Sequence, residues 1–272
     1  MNKSFKYLKC HPKNNTRKSC MNNELLFSMR KKWNQRHPDQ TISSRSPTII
    51  EQKLKNYLSY CNDTSCLVNN LSNVSNNKLF APKMPESWNH DSKIWLNSLD
   101  IMKVMKQYEE AYKEFDFFGP SPIDFDSNQR NSCVWPEICH FSVHNQLKNK
   151  KYKNGFIFNL DKHYQEGSHW ICMFLDLEKN FILCLDSNGI EMPHEIKTFV
   201  HKIKNQCEEK NISLKYYDND GFRHQEKDGQ CGMYCLYTII ELLKNKKSPR
   251  YFNRYKISDE LMEKHRNIYF NQ

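Results

Sequence analysis

Glycine is scarce in this chain, with 7 among 272 residues, so the backbone has few places to enter the left-handed region without strain. Long apolar runs are missing too. No stretch approaches the roughly 18 apolar residues that a membrane helix needs, so no membrane insertion is expected. Residues 1–15 are basic but lack the apolar core of a secretory signal. There is no internal repeat. Metal frameworks are also lacking: Cys61 and Cys66, Cys133 and Cys139, and Cys10 with His11 and Cys20 lie close in sequence, yet no paired C-x-x-C or following His-x-His series accompanies them. The expectation is no metal and no cofactor.

Acidic residues are short in one place only. Residues 1–83 hold 15 Lys/Arg against 4 Asp/Glu, whereas the rest of the chain holds 26 against 27. The net charge of +10 therefore belongs to the N-terminal third. Such asymmetry reads either as a solvated face or as an arm that meets nucleic acid or another acidic partner. The 11 cysteines are odd in number, and Cys172, Cys184 and Cys235 lie in apolar runs. Reduced thiols in an intracellular setting are the simpler reading.

A hydrophobic fraction of 38% and 13% aromatics are enough for a folded core in 272 residues. Residues 24–33 and 49–60 have the apolar periodicity of short helices, giving a mainly helical arm domain over 1–83. The Asn/Ser-rich stretch 69–77 and Ala81-Pro82-Lys83-Met84-Pro85 read as the link to a second domain, 84–272. There, residues 92–113 read as a helix with Ser92 as N-cap, ended by Gly119-Pro120-Ser121-Pro122. Strands are expected at 155–160, 170–177, 181–186 and 212–216, and helices around Ile196 to Ile203 and after Cys231. Alternating strands and helices imply an α+β fold, a central mixed sheet flanked by helices.

The scarce glycines cluster. Gly221, Gly229 and Gly232 surround Gln225-Glu226-Lys227-Asp228-Gly229-Gln230-Cys231-Gly232, immediately before an apolar, helix-like run. Unpaired N–H groups at a helix start favour a thiolate, so Cys231 is a candidate nucleophile, and Cys235 one turn later reads as core. A nucleophilic thiol needs a base and a group to orient it. The loop Gly167-Ser168-His169 enters the apolar run 170–177, and Glu178-Lys179-Asn180 separates it from 181–186, which reads as an antiparallel hairpin. Counting from the turn places His169 opposite residues 186 to 189, so Asp186 is its candidate partner and Asp176 the weaker one. His163 and His224 remain rivals by residue chemistry.

His169-Trp170, then Asp186, then Gln225 six residues before Cys231-Gly232, resembles the ubiquitin-like-protein proteases of the adenovirus-protease clan. Trp95-Leu96-Asn97-Ser98 is similar to the Trp-Leu-Asn-Asp motif of SUMO-specific members, with serine in place of the aspartate. The likeness covers residues 84–272, includes the tail from Tyr251 to Met262, and extends to the polyprotein proteases of African swine fever virus and other large DNA viruses. It implies the adenovirus-protease fold and a thiol endopeptidase with His169, Asp186 and Cys231 as catalytic residues. It further implies Gln225 as oxyanion donor, and Trp170, Trp95, Asn97 and Gly232 in substrate binding. The implied substrates carry Gly-Gly-X sites, in a viral structural polyprotein cut during virion maturation or in a ubiquitin-like protein. Host cytoplasm and virion are the implied locations. An acyltransferase, or a non-enzymatic nucleic-acid-binding protein, is the alternative from another class.

Overall fold

The computed structural model describes residues 5–14, 19–91, 94–129 and 131–272. The chain divides into two units, Met1–Lys83 with Ile268–Gln272, and Met84–Asn267.

The first unit is built from α1 (Asn23–Arg36), α2 (Pro47–Tyr57) and α3 (Thr64–Leu71). Asn22 caps α1 by accepting the Leu25 N–H, and Pro47 opens α2, where its missing N–H costs nothing. Leu26, Met29, Trp33, Ile50, Leu54, Leu67 and Val68 are buried together in its core. The stretch expected to be a free link is partly inside this unit: Leu71 ends α3, and Leu79 and Phe80 are buried in the same core. The expected catalytic domain also loses its last residues. Asn271 accepts the Lys9 N–H at 2.7 Å and donates to the Ala81 carbonyl at 2.9 Å, so the tail is stitched into the first unit.

The second unit begins its regular structure with α4 (Ser98–Ala111). The expected start at Ser92 lies outside the described residues. The N-cap is Asn97, whose side chain accepts the Asp100 N–H at 2.9 Å while Asp100 reaches back to the Asn97 N–H. This reciprocal cap sets where the helix begins and leaves Ile94 and Trp95 outside it. Then follow β1 (Phe115–Pro122), β2 (Asn128–Gln129), β3 (Ser132–Cys133), α5 (Pro136–Cys139), α6 (Val143–Lys148) and β4 (Lys153–Asn159). After these come β5 (Trp170–Asp176), β6 (Phe181–Leu185), α7 (His194–Glu208), β7 (Lys215–Tyr217), α8 (Cys231–Leu243) and α9 (Asp259–Tyr269).

The main sheet has the order β1-β4-β5-β6-β7, with β1 parallel to β4, β7 parallel to β6, and antiparallel pairing within β4-β5-β6. Gly119-Pro120-Ser121-Pro122, expected to terminate a helix, is the end of β1 instead. Prolines are tolerated there because β1 is an edge strand and needs no second set of donors. Residue alternation sorts the two faces. Phe156, Phe158, Ile171, Met173, Leu175, Ile182 and Cys184 meet Ile196, Phe199, Val200 and Ile203 of α7 on one face. The other face receives α4 and α8, and a Cβ at Gly155 would stand only 3.0 Å from Ile239 of α8. Every residue of β4, β5 and β6 is buried, which is why these strands read as unbroken apolar runs.

The thiols differ from expectation. Cys10 with Cys20, Cys61 with Cys66, and Cys133 with Cys139 form disulfides, with Cα separations of 5.0, 5.4 and 6.3 Å. Short loops hold each pair within bonding reach, a proximity that spacing alone does not reveal. Cys172, Cys184, Cys207, Cys231 and Cys235 are free and buried. Among the described residues no helix is long and apolar enough to cross a membrane.

Phe156 is fully buried and contacts Phe118, Phe141, Phe158 and Phe199. Phe156→Ala should lower the unfolding free energy by about 3–5 kcal/mol in urea titration. A loss below about 1 kcal/mol would mean that the aromatic cluster is not what holds α7 on the sheet.

Candidate active site

Cys231 is the first residue of α8, so its backbone N–H has no intrahelical acceptor and stands at the positive end of the helix. The chain enters the helix through Gly229, whose φ of +82° is a conformation that a side chain resists. At Gly232 the reason for glycine is space. A Cβ there would lie 3.2 Å from Leu96 Cβ and 3.4 Å from Trp170 Cδ1, so its absence lets both side chains close over the helix start.

His169 immediately precedes β5, and its carbonyl accepts the Leu160 N–H at 3.0 Å. Cys172 pairs with Leu185 across the β5-β6 hairpin, which continues to place position 169 beside 188. From that position His169 Nε2 meets Asp186 Oδ1 at 2.7 Å. The Cys231 thiol lies near enough to act on the charge of the ring. With Nε2 engaged by Asp186, Nδ1 is the nitrogen left for the sulfur. Burial disfavours the imidazolium, but the hydrogen bond to Asp186 together with the neighbouring Asp186 and Cys231 groups outweighs it, pushing His169 up to about 9.

Asp186 is 2% exposed and held from several sides. Its Oδ1 also accepts the Asn188 N–H at 2.8 Å. Buried Asn219 clips its backbone, accepting the Asp186 N–H at 3.0 Å and donating to its carbonyl at 2.6 Å. Gln225 is fixed just as firmly. Its Oε1 accepts the Ser187 hydroxyl at 2.8 Å, and Nε2 donates to the Lys227 carbonyl at 2.8 Å. An amide nitrogen has two hydrogens, so one Gln225 N–H remains for a ligand. The Ser187 carbonyl accepts the N–H groups of His224 and Gln225, tying this loop to the strand end that carries Asp186.

A thiol, an imidazole and a carboxylate in series, with a side-chain amide near the helix start, match the chemistry of a known set of proteins. Residues 144–272 match the C-terminal catalytic domain of the Ulp1 protease family. This segment, just under half of the chain, is similar to that family. Thiol protease R355 of Acanthamoeba polyphaga mimivirus is 30% identical over 179 residues, covering 65% of this chain and 56% of its own length. Cysteine protease S273R of African swine fever virus is 29% identical over 184 residues, 64% of this chain and 67% of its own. The crystal structure of the African swine fever virus pS273R protease matches 97% of this chain and 95% of its own with a TM-score of 0.67. At 20% identity that likeness is one of fold. The chain spans just over half the length of the mimivirus relative.

Other candidate residues line a groove. A cavity of about 630 Å³ runs from Trp170 and Leu96 past Trp95, Asn97, Pro120 and Trp135. Trp170 is 8% exposed and donates its indole N–H to the Leu96 carbonyl at 2.9 Å. Trp95 is 43% exposed, so it is a groove wall and not helix core. Asn97 lines the same groove but spends its side-chain oxygen on capping α4.

The rival histidines are occupied elsewhere. His224 is wholly buried, with one ring nitrogen on the Phe252 carbonyl at 2.8 Å and the other accepting the Ile257 N–H at 3.2 Å. Burial pulls it down to about 4 despite the carbonyl, so it is a neutral structural group. His163 pairs with Asp124 at 2.7 Å on the groove wall. Asp176 accepts the Glu178 and Lys179 N–H groups and closes the hairpin turn. Burial pushes the Cys235 thiol well above the ordinary range, which suits a core residue. For metals, Cys133, Cys139 and His140 are the one group of three donors within 4.8 Å among the described residues, and the disulfide leaves them no thiolate.

Sequence reasoning overlooked Asn219, Ser187 and Arg266, the last of which bonds the Gly229 carbonyl and the Gln230 side chain. Asn219 sits in the turn-like run Asp218-Asn219-Asp220-Gly221, and Ser187 directly follows Asp186. Arg266, far along the chain, carries no local signal.

The protonation of His169 yields a pH test. Imidazolium is present below about 9 and is lost as pH rises through that value. Thiol-dependent hydrolysis should therefore hold at neutral pH and fall on an alkaline limb near 9. Asp186→Asn removes a stabilising charge and should move that limb to lower pH. A limb that stays in place in kcat/KM profiles would separate Asp186 from the histidine's ionisation.

Proposed function

We propose that this chain is a viral cysteine endopeptidase that cuts structural polyprotein precursors after Gly-Gly sites during virion maturation. The observation that carries the reading is the 2.7 Å bond between His169 and Asp186, on a ring whose charge the nearby Cys231 at a helix N-terminus also favours. In this reading His169 takes the Cys231 proton and the resulting thiolate attacks the scissile carbonyl carbon. The C=O electron pair moves to oxygen. The free Gln225 N–H and the Cys231 backbone N–H then stabilise the oxyanion, each such donor being worth about 3 kcal/mol. The tetrahedral intermediate collapses, the His169 proton leaves on the amine, and water hydrolyses the thioester, regenerating the thiol.

Selectivity for glycine is supported by the approach of Leu96 and Trp170 over Gly232, which leaves little width for side chains beside the scissile bond. Trp95 and the groove beyond it support a more extended substrate segment upstream. The alternative substrate is a ubiquitin-like protein. It is favoured by the family of residues 144–272, and one African swine fever virus relative, 29% identical over 118 residues, is named a SUMO-1 cysteine protease. The basic segment 1–83 supports an acidic partner, nucleic acid or precursor protein. We place the enzyme in the host cytoplasm and the virion. The three disulfides fit the particle better than the reducing cytosol.

Incubation of the purified protein with Gly-Gly-X peptides should give cleavage after the second glycine, abolished by Cys231→Ala. Cleavage that survives this substitution would refute the nucleophile assignment. Gln225→Ala should lower kcat by about 10²–10³-fold with little change in KM. Replacing either glycine by alanine should cost most of kcat/KM, and equal rates would exclude a glycine-selective passage. A ubiquitin-like protein extended at its C-terminus should be processed more slowly than the precursor peptide; the reverse order would favour deconjugation.

A further inference from the structure

Arg266, on α9, is 5% exposed, an unusual place for a guanidinium. Its Nε and Nη2 both donate to the Gln230 side-chain oxygen, at 3.1 and 3.0 Å, and Nη2 also donates to the Gly229 carbonyl at 2.8 Å. Nη1 reaches the Ile94 carbonyl at 3.1 Å, and the group stacks over the Trp88 ring at 4.2 Å. Four donor contacts thus converge on the two residues that precede Cys231 and on the extended segment leading to Trp95 and Leu96. The proposed reaction uses neither Gln230 nor Arg266.

We propose that Arg266 is a positioning residue that locks the Gly229-Gln230 turn, so that the Gln230-Cys231 peptide keeps its N–H aimed at the oxyanion. Gly229 sits at φ +82° and has no side chain to restrain it, and Gln230 makes no side-chain cap on α8. Without an external hold, that peptide plane would be free to rock. The planar fork of arginine meets the amide oxygen and the neighbouring carbonyl together, which the single point of a lysine ammonium cannot do. Burial lowers Arg266 to about 10, so the guanidinium stays charged at neutral pH. Positioning and charge effects predict different behaviour on substitution by lysine. The inference rests on Cys231 as nucleophile and is independent of any preference for glycine.

The test compares two reactions of the same sulfur in the full chain. With p-nitrophenyl acetate the thiolate bonds to the acyl carbon, the oxygen carries negative charge, and p-nitrophenolate leaves. With iodoacetamide the thiolate displaces iodide and no oxyanion forms. Arg266→Lys and Arg266→Gln should each slow acylation at least tenfold, while alkylation stays within about twofold of wild type. Gln230→Met, which removes the acceptor and keeps the arginine, should slow acylation in the same way and serves if the arginine variants do not fold. Far-UV circular dichroism and thermal melts establish folding. Acylation retained in folded Arg266→Lys would overturn positioning in favour of charge. Alkylation and acylation falling in parallel would overturn it in favour of a general structural role. A wild type that acylates normally yet spares Gly-Gly-X peptides would refute the glycine-selective reading without touching this one.

Discussion

The antiparallel register of β5 on β6 is the constraint on which the site depends. His169 stands just before β5 and Asp186 just after β6, so neither can be moved without moving the pairing of Cys172 with Leu185. Side chains alternate between faces with a period of two, and a slip of one residue would turn Asp186 away from the ring. Burial prevents that slip. Both strands are buried on both faces, with the α7 core on one side and α8 packed on β5 on the other, and any shift would drive polar groups into those cores. Because α8 packs on β5, the same strand that presents the histidine also supports the helix that presents the thiol.

Around this hairpin the protein buries polar side chains and satisfies them locally. Asn219 holds the backbone of Asp186, Ser187 holds Gln225, and Arg266 holds the turn before Cys231. Removing one partner of such a buried pair leaves the other unsatisfied at a cost of about 1–3 kcal/mol, so the arrangement is resistant to rearrangement. For a reaction that develops negative charge on oxygen, donors fixed in advance are more effective than donors that must reorient. The low polarity of the surroundings has a second effect at His169. Burial alone would discharge the imidazolium, and the hydrogen bond to Asp186 together with the neighbouring Asp186 and Cys231 groups outweighs it.

Where local pattern and packing agree, the chain was legible. The apolar run after His169, the polar Glu178-Lys179-Asn180 break and the run ending at Asp186 announce a hairpin, and counting across it is enough to pair the two side chains. Gly229-Gln230-Cys231-Gly232 before an apolar run announces the start of α8. Legibility failed where a contact distant in sequence outweighed the local pattern. The α4 start was misplaced because Asn97 and Asp100 cap each other and release Trp95 to the groove. The β1 strand was hidden by its prolines, acceptable only because it lies at a sheet edge. Six cysteines read as thiols are disulfides because loop folding brings them together.

By itself, the sequence determined the pairing of His169 with Asp186, a cysteine at a helix start, the mixed α+β class, and the concentration of positive charge in residues 1–83. These follow from periodicity, glycine placement and charge counts, all local properties of the chain. Only the tertiary structure decided which histidine meets the thiol. His224 loses its basicity to burial, His163 is drawn to Asp124, and His169 pairs with Asp186 while feeling the nearby Cys231. It also decided that Arg266 reaches the turn before Cys231, 36 positions away from Gln230 in the chain. A hydrogen bond depends on where side chains end in space, and that is set by how helices and strands pack rather than by what any one segment prefers.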